Sequence, residues 1–511
     1  MPSILLLVDI IAVGCVVYSI RRLLSKKRGD LPLPPGPKGL PFVGNLLDLP
    51  PEREWETYAQ WSQTYGDIMS LQVLGQPIII LSSPKAANDL LDKRSAIYSD
   101  RPRLEMAGEI VGYANSIVLG YYDETLRAKR RMLNQCIGST RLALKQHMPL
   151  MERSAHEFLL FTLRQPDCLR DNLRRMMSST ILSIAYGCKS QKENDRFLAH
   201  IDRIIDDFVA LCAPGAFLVD VMPWLKHVPS WFPGTGWQRK AAEMHKNLIN
   251  GTEEPYQWTK LQIASGNAHP SFILNGLESG GHSALNEENV KFAAMSLTAA
   301  GSDTTLSALY SFFLAMTLFP EVQKKAQAEV DMVVGNERLP TVNEDWDHLP
   351  YVRALCKELL RWIPVAPMAI PHLSTADDVY EGFFLPKGSI MFVNSWKILH
   401  NSKIYHDPEE FIPDRFLASP GYEPEPDPAA FAFGYGRRTC PGSHVAETIL
   451  FLGVATSLAV FNIMPQVKNG KPVPPVARST PGVMSHPMPF ECTIKPRSAQ
   501  AEGLILRANE E

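Results

Sequence analysis

From Asn286 to Leu318 the chain runs 33 residues without a proline, and Pro320 closes the run. At 1.5 Å rise per residue, an α-helix of that length spans about 50 Å and crosses a whole domain. Its middle, Ala293 to Ala308, holds 12 Ala, Ser, Thr or Gly residues in 16. Small side chains permit something bulky to approach closely. A second membrane span is the competing reading, but Asp303, Thr304 and Thr305 at the centre argue against lipid exposure.

Around this rod the pattern is mostly helical. A helix over Glu52 to Tyr65 is followed by two apolar strands, Ile68 to Leu74 and Pro77 to Leu81, around a turn at Gly75-Gln76. From Pro84 to about Phe319 helical periodicity dominates. It breaks at Ala213 to Gly236, where Pro214, Pro223, Pro229 and Pro233 forbid a continuous helix. Asp378 to Val393 reads as strands with a turn at Pro386-Lys-Gly. The expectation is a mainly α fold with small β-sheets. At 511 residues a length prior suggests three domains, yet one large domain suits a body built on one long helix.

Ile4 to Ile20 is a 17-residue apolar stretch whose only charge is Asp9, at the short end for a membrane-spanning helix. No basic side chain precedes it and no clear cleavage site follows, so a retained anchor fits better than a cleaved signal peptide. Arg21, Arg22, Lys26, Lys27 and Arg28 come next, and positive flanks stay on the cytosolic side. Prolines at 32, 34, 35 and 37 favour a stiff extended spacer. The expected layout is a transmembrane anchor at 4–20, a basic flank and proline-rich hinge at 21–44, a catalytic domain at 45–497 and a tail at 498–511.

With 51 basic and 54 acidic side chains the net charge is −3, which gives no reason to expect nucleic acid. Eight cysteines without a C-x-x-C pair argue against a disulfide framework or zinc ribbon. One of them sits in Phe433-Gly-Tyr-Gly-Arg-Arg-Thr-Cys-Pro-Gly442. Gly434 and Gly436 allow a tight turn, Cys440 falls where a helix N-cap is expected, and Pro441 suits the first helical position. Free N–H groups and the helix dipole there lower a thiol pKa and stabilise the thiolate as a metal ligand. A buried capping cysteine remains an alternative. So does zinc, since Cys440 and His444 lie one helical turn apart, although zinc needs two further ligands and none nearby has matching spacing.

The pattern F-x-x-G-x-R-x-C-x-G in this segment resembles the haem-binding signature of cytochromes P450. Its five fixed residues would meet by chance at some register with probability on the order of 10⁻⁴. The likeness covers almost the whole chain and is to the microsomal type. It is nearest in wording to fungal natural-product monooxygenases of the O-methylsterigmatocystin oxidoreductase-like kind, including Phe490-Glu-Cys-Thr-Ile-Lys-Pro. It implies the cytochrome P450 fold and haem b, with Cys440 as axial thiolate on the iron and Phe433, Gly434 and Gly436 shaping the loop beneath it. Ala300-Gly-Ser-Asp-Thr-Thr305 is similar to the family's oxygen-activation motif, in which the threonine opens the backbone ladder. That resemblance makes Thr304 and Asp303 the catalytic pair, Asp303 relaying protons.

Haem propionates need cations, and the resemblance supplies Arg130, His372 and Arg438. The sequence departs from the family at Leu126, where a propionate-binding Trp is common. Glu358-Leu-Leu-Arg361 puts both charges on one helix face. Together with Arg415 of Phe411-Ile-Pro-Asp-Arg-Phe416 it resembles the family's structural ion-pair network. Glu124-Thr-Leu-Arg127 is a second copy of the same spacing. By analogy substrate contacts come from Tyr113 to Tyr122, the segment near Phe217, Thr298 and Ala299, Val365 to Ile370, and Val483-Met484.

The function implied is a haem monooxygenase of the endoplasmic reticulum membrane, single-pass, with its body in the cytosol. It takes O₂ and NADPH-derived electrons through NADPH-cytochrome P450 reductase, with cytochrome b5 as an optional donor. The substrate is a lipophilic small molecule, with a terpenoid favoured and an indole or polyketide open. A rearranging haem-thiolate enzyme that consumes no O₂ and a non-enzymatic haem sensor are the alternatives. The pairing of Asp303 with Thr304 favours oxygen chemistry over both.

Overall fold

The computed structural model describes residues 31–138, 140, 144–189, 191–213, 215–280 and 284–510. The expected anchor at 4–20 and the basic residues Arg21 to Arg28 lie outside them. The long helices of the first half are α1 (Glu54–Tyr65), α2 (Glu124–Ile137), α3 (Met148–Arg164), α4 (Leu169–Tyr186), α5 (Gln191–Cys212) and α6 (Gly236–Ala264). Those of the second half are α7 (Phe272–Gly280), α8 (Ala284–Leu318), α9 (Pro320–Val333), α10 (Pro350–Trp362), α11 (Ser443–Val460) and α12 (Ala499–Arg507).

The proline-free run forms α8, 35 residues long. Pro320 stops it and starts α9, because proline lacks the N–H an ongoing helix needs and suits a first turn. The chain bends by 108° there. Helices α2, α4, α5, α6, α7, α9, α10 and α11 all pack on α8, so the rod forms the axis of one main core that includes Leu309, Phe312 and Phe313. α11 is long and apolar enough to cross a membrane by composition, but its side chains are spent on this core. Residues beyond 497, set apart as a tail, supply α12. Ser498 caps it by accepting from the Ala501 N–H at 3.1 Å, and Ile505 is fully buried.

The sheets are small. β1 (Ile68–Val73) and β2 (Gln76–Leu81) form the expected hairpin, with β3 (His372–Leu373), β4 (Asp378–Tyr380), β5 (Phe383–Leu385) and β6 (Ile390–Val393) later in the chain. One sheet runs β1-β2-β6-β3, β2 and β6 being parallel. β7 (Phe461–Lys468), β8 (Lys471–Val473) and β9 (Cys492–Pro496) make another. The hairpin turn is Leu74-Gly75, one residue earlier than expected, since Val73 pairs with Gln76. Both turn residues have positive φ, 51° and 88°, the twist that two-residue hairpins prefer. The proline-rich stretch after α5 resolves into short 3₁₀ turns at Leu218–Asp220 and Pro223–His227.

Candidate active site

The segment before α11 folds back on itself around its glycines. Gly434 and Gly436 have φ of 79° and 55°. A Cβ on Gly436 would stand 2.2 Å from the Leu91 carbonyl oxygen, so only glycine lets the two backbones approach. The loop closes where the Cys440 N–H donates to the Phe433 carbonyl at 2.8 Å. The N-cap of α11 is Gly442, not Cys440, because a 3₁₀ turn at Gly436–Arg438 uses up chain and delays the helix. The expected dipole stabilisation is therefore weaker. Burial raises the thiol pKa, opposed by a hydrogen bond from the Gly442 N–H and by the charge of Arg130. The side chain nonetheless has accessible surface. Accessible surface and strong desolvation together mean that Cys440 faces an enclosed space rather than bulk water.

The middle of α8 also has a face open to space. Ala300 is the exposed residue of α8 between Asn289 and Leu318, with Ser296, Ala299, Asp303 and Thr304 partly open on the same face. Thr304 Oγ donates to the Ala300 carbonyl at 2.8 Å. α8 remains helical through this point, so the expected opening of the ladder is not seen: the hydroxyl adds a second donor to a carbonyl that has two lone pairs. Asp303 Oδ2 lies 3.0 Å from His486 Nε2. Thr298, expected among substrate contacts, turns inward and bonds to the Ala294 carbonyl. The Tyr113 hydroxyl likewise donates to the buried Ile204 carbonyl.

Beside the cysteine loop lies a cluster of cations with little to neutralise them. Arg438 donates to the carbonyls of Ser99, Ile117 and Gly120. Arg101 donates to those of Val118, Ile370 and Pro371. Both side chains are buried, and Arg130 reaches the Thr439 carbonyl. Burial pushes the Arg438 pKa down to about 10, with the Arg130 charge adding to it, and burial with the charges of Arg438 and Arg130 holds that of Arg101 well below its ordinary value. His372 donates from Nδ1 to the Tyr98 carbonyl at 2.7 Å. Burial, then Arg101 and Arg438, hold it neutral, and the positive charge beside it is that of Arg101. Arg101 had no motif to mark it: it meets its partners only through loops brought together by the fold. Leu126 is a plain core residue. Carbonyl-capped arginines, an accessible thiol and an uncovered small-residue face fit an anionic iron porphyrin: Cys440 for the metal, and Arg101, Arg130 and Arg438 for carboxylates.

Glu358, Arg361 and Arg415 meet in a fully buried network. Arg361 grips Glu358 with two bonds, at 2.7 and 2.9 Å, and spends its other donors on the carbonyls of Leu399, Pro408 and Glu410. Arg415 reaches both Glu358 and Glu425. The Ile412 N–H takes up the remaining Glu358 capacity at 2.7 Å. Zinc finds no such convergence: among the described residues no three His, Cys, Asp or Glu side chains gather around a point.

The cytochrome P450 family model matches residues 34–494. The chain is 46% identical over 501 residues to cytochrome P450 monooxygenase 208 of Postia placenta, covering 98% of this chain and 96% of that one. It is 43% identical to cytochrome P450 monooxygenase claR of Ampulloclitocybe clavipes, covering 99% and 93%. It is 42% identical to cytochrome P450 monooxygenase ppsD of Aspergillus oryzae, covering 93% and 90%.

Proposed function

Since the chain belongs to the cytochrome P450 family and is a haem-thiolate monooxygenase, we propose that it oxygenates a lipophilic small molecule of fungal secondary metabolism, a terpenoid before other classes. The observation that carries this reading is the uncovered face of α8 at Ala300, Asp303 and Thr304, beside an apolar cluster. Met106, Val111, Phe208, Phe292 and Met295 form that cluster, with Phe217, Ala299 and Met484 packed against it. Such a wall selects by shape and hydrophobicity. When bound, the haem supplies activation of dioxygen, one oxygen atom passing to the substrate. Cys440 holds the metal and the arginine cluster holds the propionates. Thr304, its proton engaged by Ala300, offers lone pairs to the space, and Asp303 relays protons beside it.

Electrons come from NADPH through a separate reductase, with cytochrome b5 as an additional donor. Supporting this, Arg127, Arg130, Arg131 and Arg437 line a basic hollow with Tyr122, suited to an acidic flavoprotein surface. Residues 4–20 anchor the protein in the endoplasmic reticulum membrane with the body in the cytosol. In keeping with that, Leu218, Trp224, Trp231 and Phe232 are exposed near Lys226 and His227, a mixture favoured at a lipid headgroup boundary.

Thr304→Ala tests the oxygen chemistry, because it removes only the hydroxyl and keeps helix propensity. Haem content and the substrate-induced spectral change should survive, while NADPH consumption yields more hydrogen peroxide per product. Unchanged coupling would favour an O₂-independent rearrangement or a sensor.

A further inference from the structure

His486 sits in the loop between β8 and β9, 183 positions along the chain from Asp303, yet its Nε2 meets Asp303 Oδ2 at 3.0 Å. Both side chains are sheltered, 14% and 17% exposed. The loop carrying the imidazole is pinned from several sides. The His486 N–H donates to Thr480 Oγ at 3.0 Å, and the Thr480 N–H returns to the His486 carbonyl at 2.7 Å. The Ser485 N–H donates to the Val365 carbonyl. Ser307, one turn beyond Asp303 on α8, donates its hydroxyl to the Ser485 carbonyl at 2.8 Å. The loop is thus tied to the same helix that carries its carboxylate partner.

The imidazole's other nitrogen, Nδ1, is buried and has no hydrogen-bond partner among the described residues. Asp303 is therefore the ring's hydrogen-bond partner among the described residues, a costly arrangement for a buried polar atom unless that bond has a use.

Resting on the reading of Asp303 as the proton relay, we propose that His486 is its positioning residue: the imidazole, held by its own pinned loop, fixes the Asp303 carboxylate on the open face of α8. The same loop bears Met484, which packs on the apolar cluster of the proposed substrate wall. Contact with substrate and placement of the relay acid are thereby mechanically joined, two residues apart.

The test compares His486→Leu, His486→Gln and Asp303→Asn in the full-length, haem-loaded enzyme with reductase. The substrate is the first of a series of terpene alcohols that shifts the haem spectrum. His486→Leu should keep haem content and the spectral shift while product formed per NADPH falls about tenfold. His486→Gln, whose amide N–H still reaches a carboxylate, should restore most of it. Asp303→Asn uncoupling without His486→Leu uncoupling overturns the positioning role alone. An Asp303→Asn enzyme with unchanged coupling overturns the relay itself. A merely structural histidine would not be rescued by Gln. Should His486→Leu fail to take up haem, His486→Asn, too short to reach Oδ2, serves as the loss variant. Independently of turnover, a double-mutant cycle on the thermal unfolding of the ferric protein should show His486→Leu and Asp303→Asn to be non-additive. Additive shifts would overturn the contact.

Discussion

Two groups of buried arginines lie within this fold, and they are solved differently. Arg361 and Arg415 are matched by Glu358 and Glu425, with carbonyls of Leu399, Pro408, Glu410, His406 and Asp407 taking further donors. Among the described residues Arg101 and Arg438 hydrogen-bond only to carbonyls, with Asp100 as a more distant attraction. Charge-balanced burial is a strut that locks segments together. Charge left unbalanced in low dielectric is an invitation to an anion, and in a chain that carries Cys440 in the adjoining loop the anion we propose is a haem propionate. The difference teaches that spacing motifs find pairs, while the third partner decides what a pair is for.

The comparison breaks most violently at its balanced member. Glu358→Ala strips buried Arg361 of its carboxylate and leaves Arg415 with Glu425 alone, at a cost of about 3–5 kcal/mol. The variant should accumulate little haem-loaded protein, which the haem-to-protein absorbance ratio reads directly. Arg438→Ala sharpens the other member. The protein should fold, but haem should transfer to apomyoglobin roughly ten- to a hundredfold faster, the loss of about 1.5–3 kcal/mol of charge-assisted hydrogen bonding. Retention equal to the parent would mean the cluster serves no anion. The smallest effect belongs to the second E-x-x-R copy. Glu124 and Arg127 pair at 2.8 Å but are 70% and 52% exposed, so Glu124→Ala should change the unfolding temperature by the equivalent of less than about 0.5 kcal/mol.

Much of this was legible in the chain before it was folded. The long helix was, because a proline-free run between Asn286 and Pro320 has few other uses, and so were the hairpin and the glycine-shaped cysteine loop. What escaped the sequence depends on distance along the chain or on single-residue register. The turn at Leu74-Gly75 slipped by one because a non-glycine takes positive φ there. The cap of α11 moved to Gly442 because the preceding 3₁₀ turn has no signature of its own. Arg101 and His486 carry no local motif. Their partners meet them only when the loop around Ile370 is brought against Arg101 and Asp303 of α8 against His486.

The central claim is that Cys440, and no other cysteine, gives this protein its haem-thiolate character. The reduced carbon-monoxide spectrum of Cys440→Ala, set beside single replacements of the other seven cysteines, tests it most directly. The red-shifted Soret band of the thiolate complex should disappear in Cys440→Ala and persist in each of the others. A Cys440→Ala protein that keeps the band, or its loss on replacing the buried Cys136 or Cys356, would contradict the assignment.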